Sequence, residues 1–240
     1  MLVEICANSL ESAINAEKAG ADRIELCAEL GVGGITPSFG LMKAVKEKIK
    51  IPIHVLIRPR SGNFTYSTEE FETMLLDIEQ CKQLEMDGIV CGVLLPDLTL
   101  DKMRTRELLK ISKNLKFTFH RAFDWVKDPV NTFQKLQDFG IDHVLSSGQK
   151  PTAIEGLALL KELLSKSDNC KIIPGSGINN ENILQFKNAG FKEIHFSGTN
   201  FRPSLETLPE ISMNSYKFLR EDLVAYSDPV TIAEIINQIK

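Results

Sequence analysis

Eight short apolar runs, at residues 3–6, 24–27, 53–57, 89–91, 117–120, 144–145, 172–173 and 194–196, recur along the chain with starts 21 to 36 positions apart. An amphipathic segment with helix-like spacing fills each gap. Strands that alternate with helices build a parallel sheet, because each crossover returns the chain to the same edge direction. Eight such units are the number that closes into a barrel. The chain therefore reads as an α/β protein, a single-domain (β/α)8 TIM barrel over residues 1–200. Residues 201–240 read as a C-terminal extension of the same domain, irregular around Pro203, Pro209 and Met213. A helix from Asp228-Pro229 onward ends it, packed on the barrel, where it closes the ring or serves an oligomer contact. The rival architecture, a doubly wound open sheet, would carry a glycine-rich phosphate loop after its first strand. Cys6-Ala7-Asn8-Ser9 is not such a loop.

The unit boundaries have local causes. Ser67-Thr68-Glu69-Glu70 has the form of a capping box, and Asp128-Pro129 places a cap residue before a proline at the first helical position. Gly20, Gly140 and Gly190 each end a helical pattern three residues before a polar strand opener, Arg23, His143 or Glu193. That recurrence is the internal signature of a repeated αβ unit.

Composition excludes several classes. With 28 Lys+Arg against 32 Asp+Glu in 240 residues, the chain is mildly acidic and has no basic run suited to nucleic acid. No apolar stretch approaches the ~18 residues of a membrane span. Met1-Leu2-Val3-Glu4-Ile5-Cys6 has no basic segment followed by an apolar core, so no export signal is expected. Five dispersed cysteines do not form a disulfide framework and fit reduced thiols in the cytoplasm.

In a barrel of this kind the chemistry sits at the C-terminal ends of the strands. Alternation puts Glu4 with Cys6 and Glu25 with Cys27 on single faces, and an unpaired carboxylate would be costly against the helices. These faces are expected to point into the barrel. If the register aligns them, Cys6 and Cys27 could hold one ion. Two soft thiolates suit low-coordinate Cu(I) better than zinc, which needs two further ligands. Both cysteines could equally be small core hydrophobes. His54 starts a same-face series with Leu56 and Arg58 in the third run, and Arg60 follows. His120 follows the fifth, with Asp124 nearby to orient it for proton transfer. Glu4, Glu25, His54, Arg58, His120 and Asp124 could surround one polar cavity or form buried ion pairs. After the last two strands, Gly175, Ser176 and Gly177, then Ser197 and Gly198, suit an anion held by backbone amides, with Asn179 capping the next helix. Lys116 and Lys171 open strands, which argues against a Schiff-base lysine. His143 and His195 lie at or near strand starts and read as structural. Cys81, Cys91 and Cys170 have no evident base partner.

Assembled, these motifs resemble the CutC family. The resemblance runs from Val3-Glu4-Ile5-Cys6 to Phe196-Ser197-Gly198. It includes Gly20-Ala21-Asp22-Arg23-Ile24-Glu25-Leu26-Cys27, Gly33-Gly34-Ile35-Thr36-Pro37-Ser38, Ile57-Arg58-Pro59-Arg60, Phe119-His120-Arg121-Ala122-Phe123-Asp124 and Pro174-Gly175-Ser176-Gly177-Ile178. It implies a cytosolic, commonly oligomeric (β/α)8 barrel associated with copper tolerance and Cu(I) binding, with Cys6 and Cys27 matching the family's copper cysteines. Two loops depart from the family pattern. Arg58-Pro59-Arg60-Ser61-Gly62-Asn63 replaces Arg-Pro-Arg-Gly-Gly-Asp, and Leu95-Pro96-Asp97-Leu98 lacks a glycine after the aspartate.

Two functions follow as expectations. The first is a cytoplasmic, homo-oligomeric copper homeostasis protein that binds Cu(I) through Cys6 and Cys27 at the barrel mouth. The alternative is a TIM-barrel enzyme acting on a small anionic or phosphorylated metabolite. There, His120 or a glutamate moves the proton, Arg58 and Arg60 hold the anion, and the turn at residues 175–177 receives phosphate. Neither involves nucleic acid or a membrane.

Overall fold

The computed structural model describes residues 1–211, 213 and 221–240. Eight parallel strands form one sheet: β1 (Leu2–Ala7), β2 (Arg23–Leu26), β3 (Ile53–Leu56), β4 (Gly88–Cys91), β5 (Lys116–Phe119), β6 (His143–Ser146), β7 (Lys171–Pro174) and β8 (Glu193–Phe196). They run in the order β7-β6-β5-β4-β3-β2-β1-β8. The two end strands meet through a parallel bridge between Gly175 and His195, which brings the sheet round on itself as a TIM barrel.

Outside the strands lie α1 (Leu10–Lys18), α2 (Phe39–Lys48), α3 (Thr68–Gln83), α4 (Lys102–Ile111), α5 (Pro129–Phe139), α6 (Leu157–Ser165), α7 (Ile183–Asn188) and α8 (Pro229–Ile239). Their ends follow the local signals. Ser67 and Glu70 form a reciprocal capping box on α3, and Asp128 caps α5 ahead of Pro129. Gly20, Gly140 and Gly190 stop α1, α5 and α7 with φ of 92°, 83° and 93°, a left-handed region where a Cβ is strained. Asp228 caps α8, whose Ile232, Ile235, Ile236 and Ile239 are buried. This helix packs between α7 and α1, in the slot of the barrel's eighth helix.

The extension holds a feature that sequence reading missed. Strands β9 (Thr199–Pro203) and β10 (Leu223–Ser227) pair antiparallel, with Thr199 opposite Ser227 and Pro203 opposite Leu223. No tight turn joins them, so no hairpin signal marks the pair. The ladder is tied to α1: Ser12 Oγ accepts from the Ser227 amide at 3.0 Å, and Arg202 pairs with Glu11 at 2.6 Å.

Side-chain alternation splits the barrel into two chemically distinct faces. Outward residues such as Val3, Ile5, Ile24, Val55, Phe117 and Ile194 join the helices in one apolar cluster. The inward faces carry buried polar groups, including Glu4, Arg23, Glu25, His54, Thr118, His143, Glu193 and His195. Ion pairs cross the lumen as a chain. Lys171 meets Glu193 at 2.8 Å, Glu193 meets Arg23 at 2.9 Å, Arg23 meets Glu4 at 2.5 Å, and Glu4 meets His195 at 2.8 Å. Glycines on and after β4 make room for the rings. A Cβ at Gly88 would lie 2.6 Å from His54, and one at Gly92 would lie 2.8 Å from His120. Among the described residues, no helix is long and apolar enough to cross a membrane.

A candidate site at the barrel mouth

A cavity of about 1340 Å³ opens at the C-terminal ends of the strands, lined in part by Cys6, Glu25, Arg58, Phe64, His120 and His195. The Cys6 Sγ lies 3.5 Å from the Sγ of Cys27, which is buried behind the cavity wall, and all five cysteines are free thiols. The strand register explains the contact. Cys6 stands opposite Glu25, and Cys27 follows two residues later, just past the end of β2, where its amide bonds to the Ala7 carbonyl. The Cys6 thiol also donates to Glu25 Oε1 at 3.6 Å. Cys27 is fully buried beneath it against Leu56 and Val90. Hydrogen bonding to Cys27, burial and the nearby Glu25 together push the Cys6 thiol well above its ordinary pKa.

His195 joins this cluster from the other side of β1. Its Nδ1 lies 2.8 Å from Glu4 Oε1, and ligand-capable atoms of Cys6, Glu25 and His195 all fall within 4.8 Å of one another. His195, read as a structural residue near a strand start, is the third residue of β8 and lines the cavity while paired with Glu4. Strand β8 borders β1 only once the barrel closes, with Glu4 opposite His195 across 191 residues of sequence. The alternation Glu193, His195, Ser197 was the signal that could have found it. Burial opposes a charge on His195, but Glu25, Cys6 and Glu4 raise its pKa well above the ordinary value. Glu25 is itself raised, by burial first and then by Glu4, against the pull of His195. Its Oε2 has no hydrogen-bond partner among the described residues.

The other expected site residues divide. Arg58 lines the cavity. It donates to the carbonyls of Val32, Gly34 and Gly62 and lies 5.1 Å from the Phe64 ring, with its Nε unpartnered. His120 lines it too, but Asp124 does not orient it. His120 Nδ1 accepts the Ala122 amide at 3.2 Å, leaving Nε2 as an unpartnered donor. The chain turns sharply at Arg121–Trp125 and carries the Asp124 carboxylate to β6, where it accepts from Ser146 Oγ at 2.6 Å and the Ser147 amide at 3.0 Å. Arg60 is not among the cavity residues. Its guanidinium pairs with Glu70 at 2.5 Å and donates to the Thr65 carbonyl at 2.8 Å. Glu4 and His54 lie deeper, in the lumen chain, with His54 Nδ1 3.8 Å from Glu4. Ser176, Gly177, Ser197 and Gly198 line the cavity, whereas Gly175 packs beneath against Leu145 and His195. Asn179 Oδ1 accepts from the Glu181 and Asn182 amides, so it caps the turn leading into α7 rather than the helix itself.

The CutC family model matches residues 1–200. A CutC family protein of Pasteurella multocida is 45% identical over 206 residues, covering 85% of this chain and 84% of that one. This chain belongs to the CutC family. A relative from Salmonella typhimurium is 44% identical over 203 residues, covering 85% of this chain and 82% of its own. The solved CutC structure from Streptococcus agalactiae, named for copper homeostasis, matches with a TM-score of 0.78 at 32% identity, over 82% of this chain and 98% of that one. Thiamine phosphate pyrophosphorylase from Pyrococcus furiosus shares the fold at a TM-score of 0.63 and 14% identity, over 99% of this chain and 95% of that one.

The lumen of this CutC family member has a consequence for acid stability. Burial, with Arg23 beyond it, holds His54 at about 4 against the raising effect of Glu4. Burial and Arg58 hold His120 at about 3. Both are neutral when folded, and both would titrate near 6.5 when unfolded. Their folded values are depressed, so the stability they carry is complete above pH ~6.5 and is lost as pH falls toward those values. The unfolding free energy from urea titrations should drop between about pH 6.5 and about pH 4.5, by up to ~3 kcal/mol per pH unit for the pair. A flat profile over that range would contradict the assignment.

Proposed function

We propose that this protein binds Cu(I) through Cys6 and Cys27 at the barrel mouth and serves copper homeostasis in the cytoplasm. One observation carries the reading: two free thiols 3.5 Å apart, of which Cys6 lines a cavity and Cys27 is buried beside it. Thiolates are soft donors that favour Cu(I) over hard cations. The donor set fits such an ion, because two free thiols lie in contact and an imidazole nitrogen of His195 lies within 4.8 Å of the Cys6 sulfur. The raised Cys6 pKa means that an incoming ion must displace a proton, so uptake weakens as pH falls. A reducing compartment is what keeps two thiols this close unpaired. The name of the Streptococcus agalactiae relative points the same way. Titration of reduced protein with Cu(I) against a competing chelator tests the reading. One tightly held equivalent per chain supports it; uptake no tighter than by a small free thiol overturns it.

The cavity supports a second reading, an enzyme acting on a small anionic or phosphorylated metabolite. About 1340 Å³ is far more room than an ion needs, and Arg58 Nε and His120 Nε2 are buried there without hydrogen-bond partners among the described residues. His120 would act as a neutral hydrogen-bond donor, since its Nδ1 is occupied and its pKa is about 3. Glu25, raised by burial, would be the group that exchanges a proton. A panel of sugar phosphates and small carboxylates should then contain a compound that raises the melting temperature of the wild type but not of His120→Gln. A panel in which no compound does so would remove this reading.

A further inference from the structure

We infer that His195 is a third ligand to the ion held by Cys6 and Cys27, with Glu4 as its positioning residue. The inference rests on the Cu(I) reading and names what completes that site.

The thiol spacing asks for a further donor. With metal–sulfur bonds of ~2.3 Å, as for zinc thiolates, a linear S–metal–S unit spans ~4.6 Å, a trigonal one ~4.0 Å and a tetrahedral one ~3.8 Å. The observed 3.5 Å is far from the linear value. A bent pair leaves the ion open on one side, and that side needs a ligand.

His195 is placed to supply it. Strand β1 lies between β2 and β8, so Cys6 has Glu25 and Cys27 on one flank and His195 on the other. The His195 ring offers a nitrogen within 4.8 Å of both Cys6 Sγ and a Glu25 oxygen. Its Nδ1 is taken up by Glu4 at 2.8 Å, which leaves Nε2 as the ligand atom once an incoming ion displaces its proton. A histidine that ligates a metal characteristically donates its other N–H to a carboxylate, which fixes both ring orientation and tautomer. Glu4 is well suited to that task. It is fully buried and already paired with Arg23, so it is anchored independently of His195. Gly175 leaves space beside the ring, since a Cβ there would come within 3.3 Å of His195 Cδ2. Structural ion pairing with Glu4 alone does not require an imidazole nitrogen within 4.8 Å of the Cys6 thiol.

The test uses reduced wild-type protein, Cu(I) as probe, and the variants His195→Ala and Glu4→Gln. X-ray absorption of the Cu(I)-loaded wild type should show two sulfur scatterers and one nitrogen scatterer with the multiple-scattering pattern of imidazole. Nitrogen-15 NMR of the histidine side chains should show the His195 Nε2 resonance shifting on Cu(I) addition, while those of His54 and His143 stay in place. His195→Ala should lose the nitrogen scatterer. Glu4→Gln should weaken Cu(I) binding by about 10–100-fold, the usual scale for an orienting partner, and alter the imidazole signal. The wild-type spectra decide the matter even if either variant folds poorly. Tight Cu(I) uptake with a sulfur-only shell and an unmoved His195 signal would overturn the inference and leave the thiol site standing. Absence of tight uptake by the wild type would overturn both.

Discussion

Replacing Cys6 and Cys27 together by serine is expected to lower Cu(I) affinity more than 10³-fold while leaving the barrel folded. Thiolate-based metal sites in small folds carry about 10–16 kcal/mol of binding free energy. Removing two soft donors forfeits on the order of half of the lower figure, about 5 kcal/mol, which is over three decades in affinity. Serine keeps the volume close and offers a hard oxygen that Cu(I) discriminates against. The structural cost is smaller. Cys27 is fully buried, and a hydroxyl there needs a partner, at about 1–3 kcal/mol if it finds none. The Cys6→Ser hydroxyl can turn to Glu25, whose Oε1 already accepts from the thiol. Competition titration reads the affinity, and circular dichroism with a urea midpoint checks the fold. Cys91→Ser and Cys170→Ser, remote from the cluster, should bind as the wild type does. Equal affinity in the double variant and the wild type would remove the site.

Arg23→Met is expected to cause the largest loss of stability among lumen substitutions, about 3–5 kcal/mol. Arg23 bridges two buried carboxylates, Glu4 at 2.5 Å and Glu193 at 2.9 Å. Burial alone would raise both acids. Arg23, with His195, holds Glu4 well below the carboxylate range, and His143, Lys171 and Arg23 hold Glu193 at about 2. Methionine fills similar space but removes the guanidinium that both carboxylates share, leaving Glu193 with Lys171 and His143 and Glu4 with its histidines. Glu4 would retain only the histidines on its inner side, and one of them, His54, is neutral at pH 7. The folded pKa values of Glu4 and Glu193 are depressed. Their contribution is therefore complete above pH ~4.3 and is lost as pH falls toward about 2. In Arg23→Met the share of that contribution that Arg23 supplies, largest for Glu4, should be absent at pH 7. For a domain of this size the melting temperature should fall by about 2–4 °C per kcal/mol, so by roughly 6–20 °C. A change under about 1 kcal/mol would show that the remaining partners suffice.

The repeated unit was legible because each of its signals is local. Apolar runs, caps at Ser67 and Asp128, and the stops at Gly20, Gly140 and Gly190 need nothing beyond a few neighbouring residues. Strand alternation likewise put Glu4, Cys6 and Glu25 on the inner face before any register was known. What local signals missed depends on closure and long-range contact. His195 acquires its meaning only when β8 meets β1, and β9 pairs with β10 across residues that carry no turn signal. Asp124 misled through proximity in sequence: four residues from His120, it is turned away by the tight turn at Arg121–Trp125 and bound to β6. Arg60 misled in the same way. Arg58-Pro59-Arg60 looks like a paired anion clamp, but Glu70, ten residues on, captures the second guanidinium.

One Cu(I) ion is expected between the sulfur atoms of Cys6 and Cys27 at the barrel mouth. A crystal of the reduced protein loaded with Cu(I), with diffraction recorded on both sides of the copper absorption edge, would locate it. A single strong anomalous peak should lie between the two Sγ atoms, flanked by His195. A map with no peak there, or with copper only at Cys81, Cys91, Cys170 or the surface, would contradict that placement.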